Sequence, residues 1–96
     1  VLVPAHGVYA TRVTFENGES RPAVTNIGVR PTVDDGDRVT VEGFILDFQG
    51  DLYGQTVRME FYKRLRGERK FPSLEALKDE VMRNAEQTRT YFSTQP

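Results

Sequence analysis

The sequence lacks cysteine and contains a single histidine, His6. Without thiols it can form no disulfide bond, thiolate nucleophile or cysteine metal site, and one histidine excludes a metal centre built from several imidazoles. No apolar run approaches the roughly 18 residues that a membrane-spanning helix needs, and no signal peptide is visible. We therefore expect a cytoplasmic protein with no membrane partner.

The sequence also has no excess of charge of either sign, because 13 Lys and Arg residues nearly balance 14 Asp and Glu residues and give a net charge of -1. A surface that binds nucleic acid or acidic lipid normally carries a basic excess, so neither partner is expected. Any bound anion must be held by a local arrangement of side chains. The 96 residues, 38% of them hydrophobic, are enough for one small domain with a thin core.

Four segments have the β-branched and aromatic content, or the alternation, that is typical of strands: residues 8–15, 20–29, 39–48 and 55–65. Asn17-Gly18, between the first two, predicts a hairpin turn because both residue types tolerate positive φ. Strands grouped before a single helix favour an antiparallel arrangement over alternating βαβ units. The residues therefore predict a mainly β fold, as an open sheet or an incomplete barrel, with a C-terminal helix.

The hydrophobic period changes to that of a helix after Ser73, a suitable N-cap residue. Apolar and small residues recur there at steps of three and four: Leu74, Leu77, Val81, Ala85, Thr88 and Phe92. This stripe predicts an amphipathic helix that packs against the sheet, on residues such as Val57, Met59 and Phe61. The stripe is interpreted as core rather than as a cofactor site.

Glu42 lies where the third strand would present apolar side chains. With a period of two, it shares a face with Thr40, Phe44, Leu46 and Phe48. A carboxylate on an apolar face is desolvated, which favours its protonated form and suits a general base. Alternatively the face is exposed to solvent, or Glu42 is a structural acid paired with Arg58. Periodicity alone favours the structural interpretation.

Two further polar segments are candidates for ligand binding. In NIGVRPT, residues 26–32, the polar Asn26 and Arg30 flank Gly28, which permits the close approach of a ligand or of another backbone. The loop RLRGERKFPS, residues 64–73, combines a glycine with several basic residues and suits phosphate capture. Each segment can also be an ordinary strand end or a solvated loop.

Taken together and in this order, the segments GVYA, NIGVRPT, VEGFILDFQGDLYG and RLRGERKFPSLEALK, with a helix that ends in YF, resemble the riboflavin kinase family. The resemblance is closer to the C-terminal module of bacterial bifunctional riboflavin kinase/FMN adenylyltransferase, or FAD synthetase, and it covers essentially the whole chain. It implies a Greek-key, riboflavin-kinase-like β-barrel of six antiparallel strands packed by a C-terminal helix. It also implies transfer of the γ-phosphate of ATP to the 5′-hydroxyl of riboflavin, giving FMN and ADP, with Mg²⁺ accompanying the ATP.

The same resemblance implies roles for seven residues. Glu42 matches the catalytic acid, which acts as the base for the ribityl hydroxyl on the floor of a closed cavity. The flavin-binding flap of the family matches Arg66, Glu68 and Phe71. The nucleotide-binding turn matches Phe48, Leu52 and Tyr53.

One motif of the family is missing. The Pro-Thr-Ala-Asn segment that binds metal and phosphate should lie on a strand upstream of Val1, and RPTV at residues 30–33 does not replace it, so no metal ligand is expected in this chain. We therefore expect residues 1–96 to be a riboflavin kinase domain without its N-terminal strand and this motif, cut from a longer protein with an N-terminal adenylyltransferase domain. On its own such a fragment would be impaired or inactive. The alternative is a non-catalytic barrel that binds flavin or nucleotide.

Overall fold

Four antiparallel strands and one helix make up the part of the chain that the computed structural model describes, residues 5–31, 36–50 and 54–94. In chain order the elements are β1 (Gly7–Thr14), β2 (Ser20–Pro31), β3 (Asp37–Ile45), β4 (Arg58–Arg66) and α1 (Leu74–Ser93). The prediction of a mainly β fold with a C-terminal helix is confirmed. No helix within the described ranges is both long and apolar enough to cross a membrane.

The strands follow a Greek-key order. In space they are arranged β3-β2-β1-β4, so that the consecutive strands β3 and β4 lie at opposite edges of the sheet. All three neighbouring pairs are antiparallel. Three strands connected in sequence, with a fourth that returns beside the first, define the Greek-key motif. The described residues therefore form an open, four-stranded version of the barrel that the sequence predicts.

The turn between β1 and β2 contains the predicted Asn17-Gly18 pair. The Phe15 amide donates to the Glu19 carbonyl at 2.8 Å, and the Gly18 amide donates to the Phe15 carbonyl at 3.0 Å. Gly18 has a φ of 90°, in the left-handed region where glycine has no Cβ to clash. The Asn17 Oδ1 accepts from the Glu19 amide at 2.9 Å. This turn fixes the register in which Ala10 lies opposite Val24.

Side chains are buried on both faces of the sheet, and β1 is buried at every residue from 7 to 11. On the face covered by α1, the first core cluster contains Val8, Val24, Leu46 and Ala85, with Leu65 packed against it. On the other face, the second core cluster contains Val13, Phe15 and Ala23, with Ile45, Phe48 and Met59 packed against it. The helix therefore closes one face, and residues from all four strands and the adjoining loops fill the other.

Two register shifts interrupt the pairing of β1 with β4. In one of them Val8 pairs with Arg66 and Tyr9 pairs with Arg64, which leaves Leu65 as an extra residue in β4. Such a bulge breaks the alternation of faces along a strand. Leu65 thereby joins the first core cluster on the helix side, and Arg66 ends the strand beside Glu80 and Asn84 of α1.

The helix begins as predicted, with the Ser73 hydroxyl accepting from the Ala76 amide at 3.0 Å. The predicted apolar stripe is wrong in part, because Leu74 is 79% exposed and Leu77 is 38% exposed. The buried helix residues are Glu80, Asn84, Ala85 and Thr88. The helix also packs mainly on β2 and β1, not on Val57, Met59 and Phe61. The physical reason is that two of the buried positions, Glu80 and Asn84, carry polar side chains that bind Arg66 from outside the helix.

Candidate functional site

A cavity of about 410 Å³ opens between the helix-covered face of β2 and β3, the first turns of α1 and the segment that follows β4. It is lined by Val8, Val24, Asn26, Glu42, Gly43, Phe44, Arg66, Glu68, Arg69, Phe71, Leu77, Val81 and Asn84. Four of the seven residues predicted to form the site, Glu42, Arg66, Glu68 and Phe71, are in this set. These four come from two separate parts of the sequence, which the topology brings together.

Glu42 lies on β3 opposite Asn26 of β2. Its side chain is exposed, so the expectation of a desolvated acid on the floor of a closed cavity is wrong. The reason is that β3 is an edge strand, and the neighbouring Phe44 is itself 50% exposed. The alternative partner Arg58 lies on β4, at the opposite edge of the sheet from β3. Glu42 is therefore placed at the open side of the cavity, where a ligand can reach it.

Asn26, the strand partner of Glu42, contributes a polar atom to the same wall. Among the described residues its Oδ1 has no hydrogen-bond partner although the atom is buried. A buried acceptor without a partner is costly unless water or a ligand supplies a donor. The cavity wall beside Glu42 is thus suited to a ligand that carries an N–H or O–H group.

Glu68 lies across Gly28 of β2. A Cβ added at Gly28 would lie 2.5 Å from Glu68 Oε1 and 3.7 Å from Thr40 Oγ1. Only a residue without a side chain at position 28 therefore leaves room for the Glu68 carboxylate on this strand. The close approach that the sequence suggests for Gly28 is made by the segment after β4.

Arg66 is held in one orientation at the end of β4. Its Nε donates to Asn84 Oδ1 at 3.1 Å and lies 3.2 Å from Glu80 Oε2, and its Nη1 donates to the Gly67 carbonyl at 3.2 Å. Burial lowers the pKa of the guanidinium, and the charge of Glu80 opposes that shift only in part. Arginine nevertheless stays charged at neutral pH. Among the described residues none accepts a hydrogen bond from Nη2, which leaves that group for a ligand.

Glu80 is a buried carboxylate, 7% exposed, surrounded by three arginines. Arg69 Nη2 lies 3.7 Å from its Oε1, and Arg83 Nε lies 3.3 Å from the same oxygen. Asn84 Nδ2 donates to Oε2 at 3.2 Å. Burial raises the pKa of the Glu80 carboxyl, but the hydrogen bonds from Asn84 and Arg83 and the nearby positive charges outweigh it and hold the pKa below its usual value. Glu80 is therefore ionised at neutral pH and ties β4 and the following loop to the helix.

Phe71 lies under two of these arginines. The Arg69 guanidinium carbon is 4.8 Å from the centre of the ring, and the Arg66 guanidinium carbon is 5.4 Å from it. Both distances are within the range of cation–π attraction. The aromatic wall of the cavity is thus fixed by charges that Glu80 partly neutralises.

Of the three residues assigned to the nucleotide, Phe48 is described by the structure, and it does not line this cavity. Phe48 packs in the second core cluster, with its ring centre 5.1 Å from that of Phe15. Its side chain does not continue the alternation of β3, because the strand ends at Ile45 and Asp47 adopts a φ of 54°. Leu52 and Tyr53 lie outside the described residues.

Sequence reasoning missed part of the site on the helix. Leu77 and Val81 line the cavity, so the interpretation of the stripe as core alone is wrong for them. Glu80 and Asn84 were not predicted, although both are polar and one turn apart between apolar positions. Polar residues at i and i+4 on the buried side of a helix are the signal that could have identified them.

The metal that accompanies ATP in the family finds no complete set of ligands in this part of the chain. Within residues 5–31, 36–50 and 54–94, no three His, Cys, Asp or Glu side chains lie together in a way that could hold a metal ion. The described residues therefore do not fit a divalent cation by themselves.

The riboflavin kinase (Flavokinase) family model matches residues 1–92. The bifunctional riboflavin kinase/FMN adenylyltransferase of Pseudomonas fluorescens is 47% identical over 79 residues, covering 82% of this chain and 25% of the relative. The protein of the same description from Haemophilus influenzae is 37% identical over 91 residues, covering 95% of this chain and 29% of the relative. A crystal structure described as a macrolide-efflux protein from Streptococcus pneumoniae superposes with a TM-score of 0.84 and 34% identity, covering 92% of this chain and 28% of that one.

The chain thus spans between 25% and 29% of the length of these proteins. The family model, in contrast, covers nearly all of the chain. The resemblance seen in the sequence motifs is confirmed. This chain belongs to the riboflavin kinase family.

Proposed function

We propose that this chain is the riboflavin kinase module of a longer, bifunctional protein whose N-terminal domain is an FMN adenylyltransferase. In the proposed reaction the 5′-hydroxyl oxygen of riboflavin attacks the γ-phosphorus of ATP. The bond between that phosphorus and the β–γ bridging oxygen breaks, and ADP leaves. The proton of the hydroxyl passes to a carboxylate of the module, and FMN is the product.

One observation carries this proposal: Glu42, Arg66, Glu68 and Phe71 line the same cavity although they come from two separate strands and a loop. A flavin needs an aromatic or apolar wall and a few polar groups at fixed positions. Phe71 and Leu77 supply the first, and the Arg66 guanidinium supplies a donor. The exposed carboxylate of Glu42 in the cavity lining supports its assignment as the group that accepts a proton from the substrate hydroxyl.

Phosphoryl transfer depends mostly on positioning and on stabilisation of charge, so one carboxylate is not a complete active site. The nucleotide and its Mg²⁺ need further groups, which we assign to Phe48, Leu52 and Tyr53 for the nucleotide and to a Pro-Thr-Ala-Asn segment outside this chain for the metal. The described residues alone do not hold the metal.

The direct test is product analysis with the full-length protein that carries this chain. Incubation with riboflavin, ATP and Mg²⁺ is expected to yield FMN and ADP in equal amounts, separated by chromatography and detected by flavin fluorescence and nucleotide absorbance. Quenching of riboflavin fluorescence without FMN formation would instead support a non-catalytic flavin-binding barrel. If riboflavin fluorescence is not quenched and no FMN forms, both functions are contradicted.

Gly28 offers a separate test of the cavity wall. We expect Gly28→Ala to change the free energy of unfolding by about 1 kcal/mol or less, because its backbone is not left-handed and alanine is favoured over glycine in strands. The added Cβ would displace the Glu68 carboxylate. Riboflavin affinity should therefore fall about tenfold, the equivalent of one lost hydrogen bond of ~1.4 kcal/mol, as measured by fluorescence quenching.

The control for this prediction is Glu68→Ala alone and combined with Gly28→Ala. If the glycine acts only by making room for Glu68, the double variant binds riboflavin as weakly as Glu68→Ala and no more weakly. Additive losses in the double variant would show that Gly28 affects binding by another route.

A further inference from the structure

We propose that Glu80 and Asn84 are positioning residues that set the flavin affinity of the cavity by holding the Arg66 guanidinium against Phe71. This inference rests on the proposed function, since it names flavin as the ligand of the cavity. Glu80 does not line the cavity, so its effect must pass through residues that do.

Two residues of the helix hold the Arg66 guanidinium at its Nε. Glu80 Oε2 and Asn84 Oδ1 lie 3.2 Å and 3.1 Å from the same Nε, and Asn84 is itself fixed by donating to Glu80 and to Gln87 Oε1 at 2.9 Å. Nε and Nη1 are therefore occupied on the protein side. The remaining Nη2 is presented with its direction already set.

The ion pair of Arg66 with Glu80 affects ligand binding more than it affects stability. A buried ion pair contributes little net stability, because the cost of desolvating both charges offsets their attraction. The long side chain of a free arginine, in contrast, loses rotamer entropy when it becomes fixed. An Arg66 that is fixed before the ligand arrives does not lose this entropy during binding, which raises affinity.

Glu80 is also linked to Phe71, the aromatic wall of the cavity, through two arginines. Glu80 contacts Arg66 and Arg69, the two arginines whose guanidinium groups lie over Phe71. Without the carboxylate these like charges would repel each other over one ring. Glu80 thus keeps both guanidinium groups and the ring in one arrangement.

The test uses Glu80→Gln in the full-length protein, with Glu86→Gln as the matched control. Glu86 is an exposed carboxylate on the same helix, paired with Arg89 at 2.6 Å. For Glu80→Gln we expect the KM and the dissociation constant for riboflavin to rise about tenfold, with kcat within about twofold and the KM for ATP unchanged. Glu86→Gln should change none of these values.

A double-mutant cycle distinguishes the positioning of Arg66 by Glu80 from a purely structural role of Glu80. In an Arg66→Met background, Glu80→Gln should weaken riboflavin binding much less than in the wild type, because Arg66 is gone and only Arg69 is left for Glu80 to hold over Phe71. If Glu80→Gln does not fold, Asn84→Ala serves as the second variant. It removes one acceptor of Arg66 Nε and leaves the ion pair, so a rise of about threefold in riboflavin KM is expected. Because Asn84 also lines the cavity, this rise should disappear in the Arg66→Met background, whereas loss of a direct contact with riboflavin would persist there.

Three outcomes would overturn the inference. The first is an unchanged riboflavin affinity in Glu80→Gln. The second, if Glu80→Gln does not fold, is an unchanged riboflavin affinity in folded Asn84→Ala. The third is that Glu80→Gln lowers riboflavin affinity by the same factor in the Arg66→Met background as in the wild type. Each of these leaves the proposed function intact if the wild-type protein forms FMN. A wild-type protein that neither binds nor phosphorylates riboflavin overturns the proposed function as well.

Discussion

Replacing Glu42 with glutamine in the full-length protein is expected to lower kcat for riboflavin phosphorylation by about 10²- to 10⁴-fold, the contribution typical of general acid–base catalysis. Glutamine keeps the size and the hydrogen-bonding capacity of the side chain but cannot accept the proton of the ribityl hydroxyl. Riboflavin and ATP should still bind within a few-fold of the wild-type affinity. Steady-state kinetics and flavin fluorescence quenching measure the two effects separately.

Because the Glu42 side chain is exposed, the substitution should change the free energy of unfolding by no more than about 0.5 kcal/mol. A structural acid would give the opposite result, with lower stability and a normal kcat for the folded fraction. Glu60→Gln is the control, since Glu60 is also an exposed strand glutamate but lies opposite Arg12 and outside the cavity. A normal kcat in well-folded Glu42→Gln protein would end the assignment of Glu42 as the base.

Leu46→Ala is expected to lower the free energy of unfolding by about 2–5 kcal/mol. Leu46 is 1% exposed and packs in the first core cluster with Val8, Val24 and Ala85. Truncation to alanine removes apolar contacts on both the sheet side and the helix side and leaves a void between them. In a domain of this size such a loss is a large part of the total stability.

The matched control is Leu74→Ala, the same change at a helix residue that is 79% exposed. There the free energy of unfolding should change by about 0.5 kcal/mol or less. Urea denaturation monitored by circular dichroism compares the two variants under the same conditions. Equal destabilisation by both substitutions would contradict the placement of the core under the second half of the helix.

Much of the fold can be predicted from the sequence because its signals are local. Alternation, the turn at Asn17-Gly18 and the cap at Ser73 depend on neighbours in the chain, and the structure has the corresponding elements. The helix face could not be predicted in this way. Glu80 and Asn84 are buried because Arg66, from a different element, supplies their partner, and periodicity of apolar residues carries no information about such a pair.

The candidate site, like the fold, could be predicted only in part from the sequence. The motif resemblance brought together Glu42, Arg66, Glu68 and Phe71, which line one cavity. The exposure of Glu42 depends on β3 being an edge strand, which follows from the strand order and not from the residues around it. The direction of Phe48 depends on the left-handed backbone at Asp47, a single torsion angle that breaks the period-two pattern just before it.

The Greek-key order also has a consequence for how the chain folds. β1 pairs with β2 through a short hairpin, but its other edge pairs with β4. Val8 must therefore pair with Arg66, which is distant from it in the sequence. Closing such a long loop costs entropy before any contact is gained, and β proteins with many distant contacts fold in roughly milliseconds to seconds. Arg66, Phe71 and Glu80 all follow this last strand pairing in the chain or take part in it. During synthesis the hairpin can form early, but the ligand cavity is assembled only after the helix has left the ribosome.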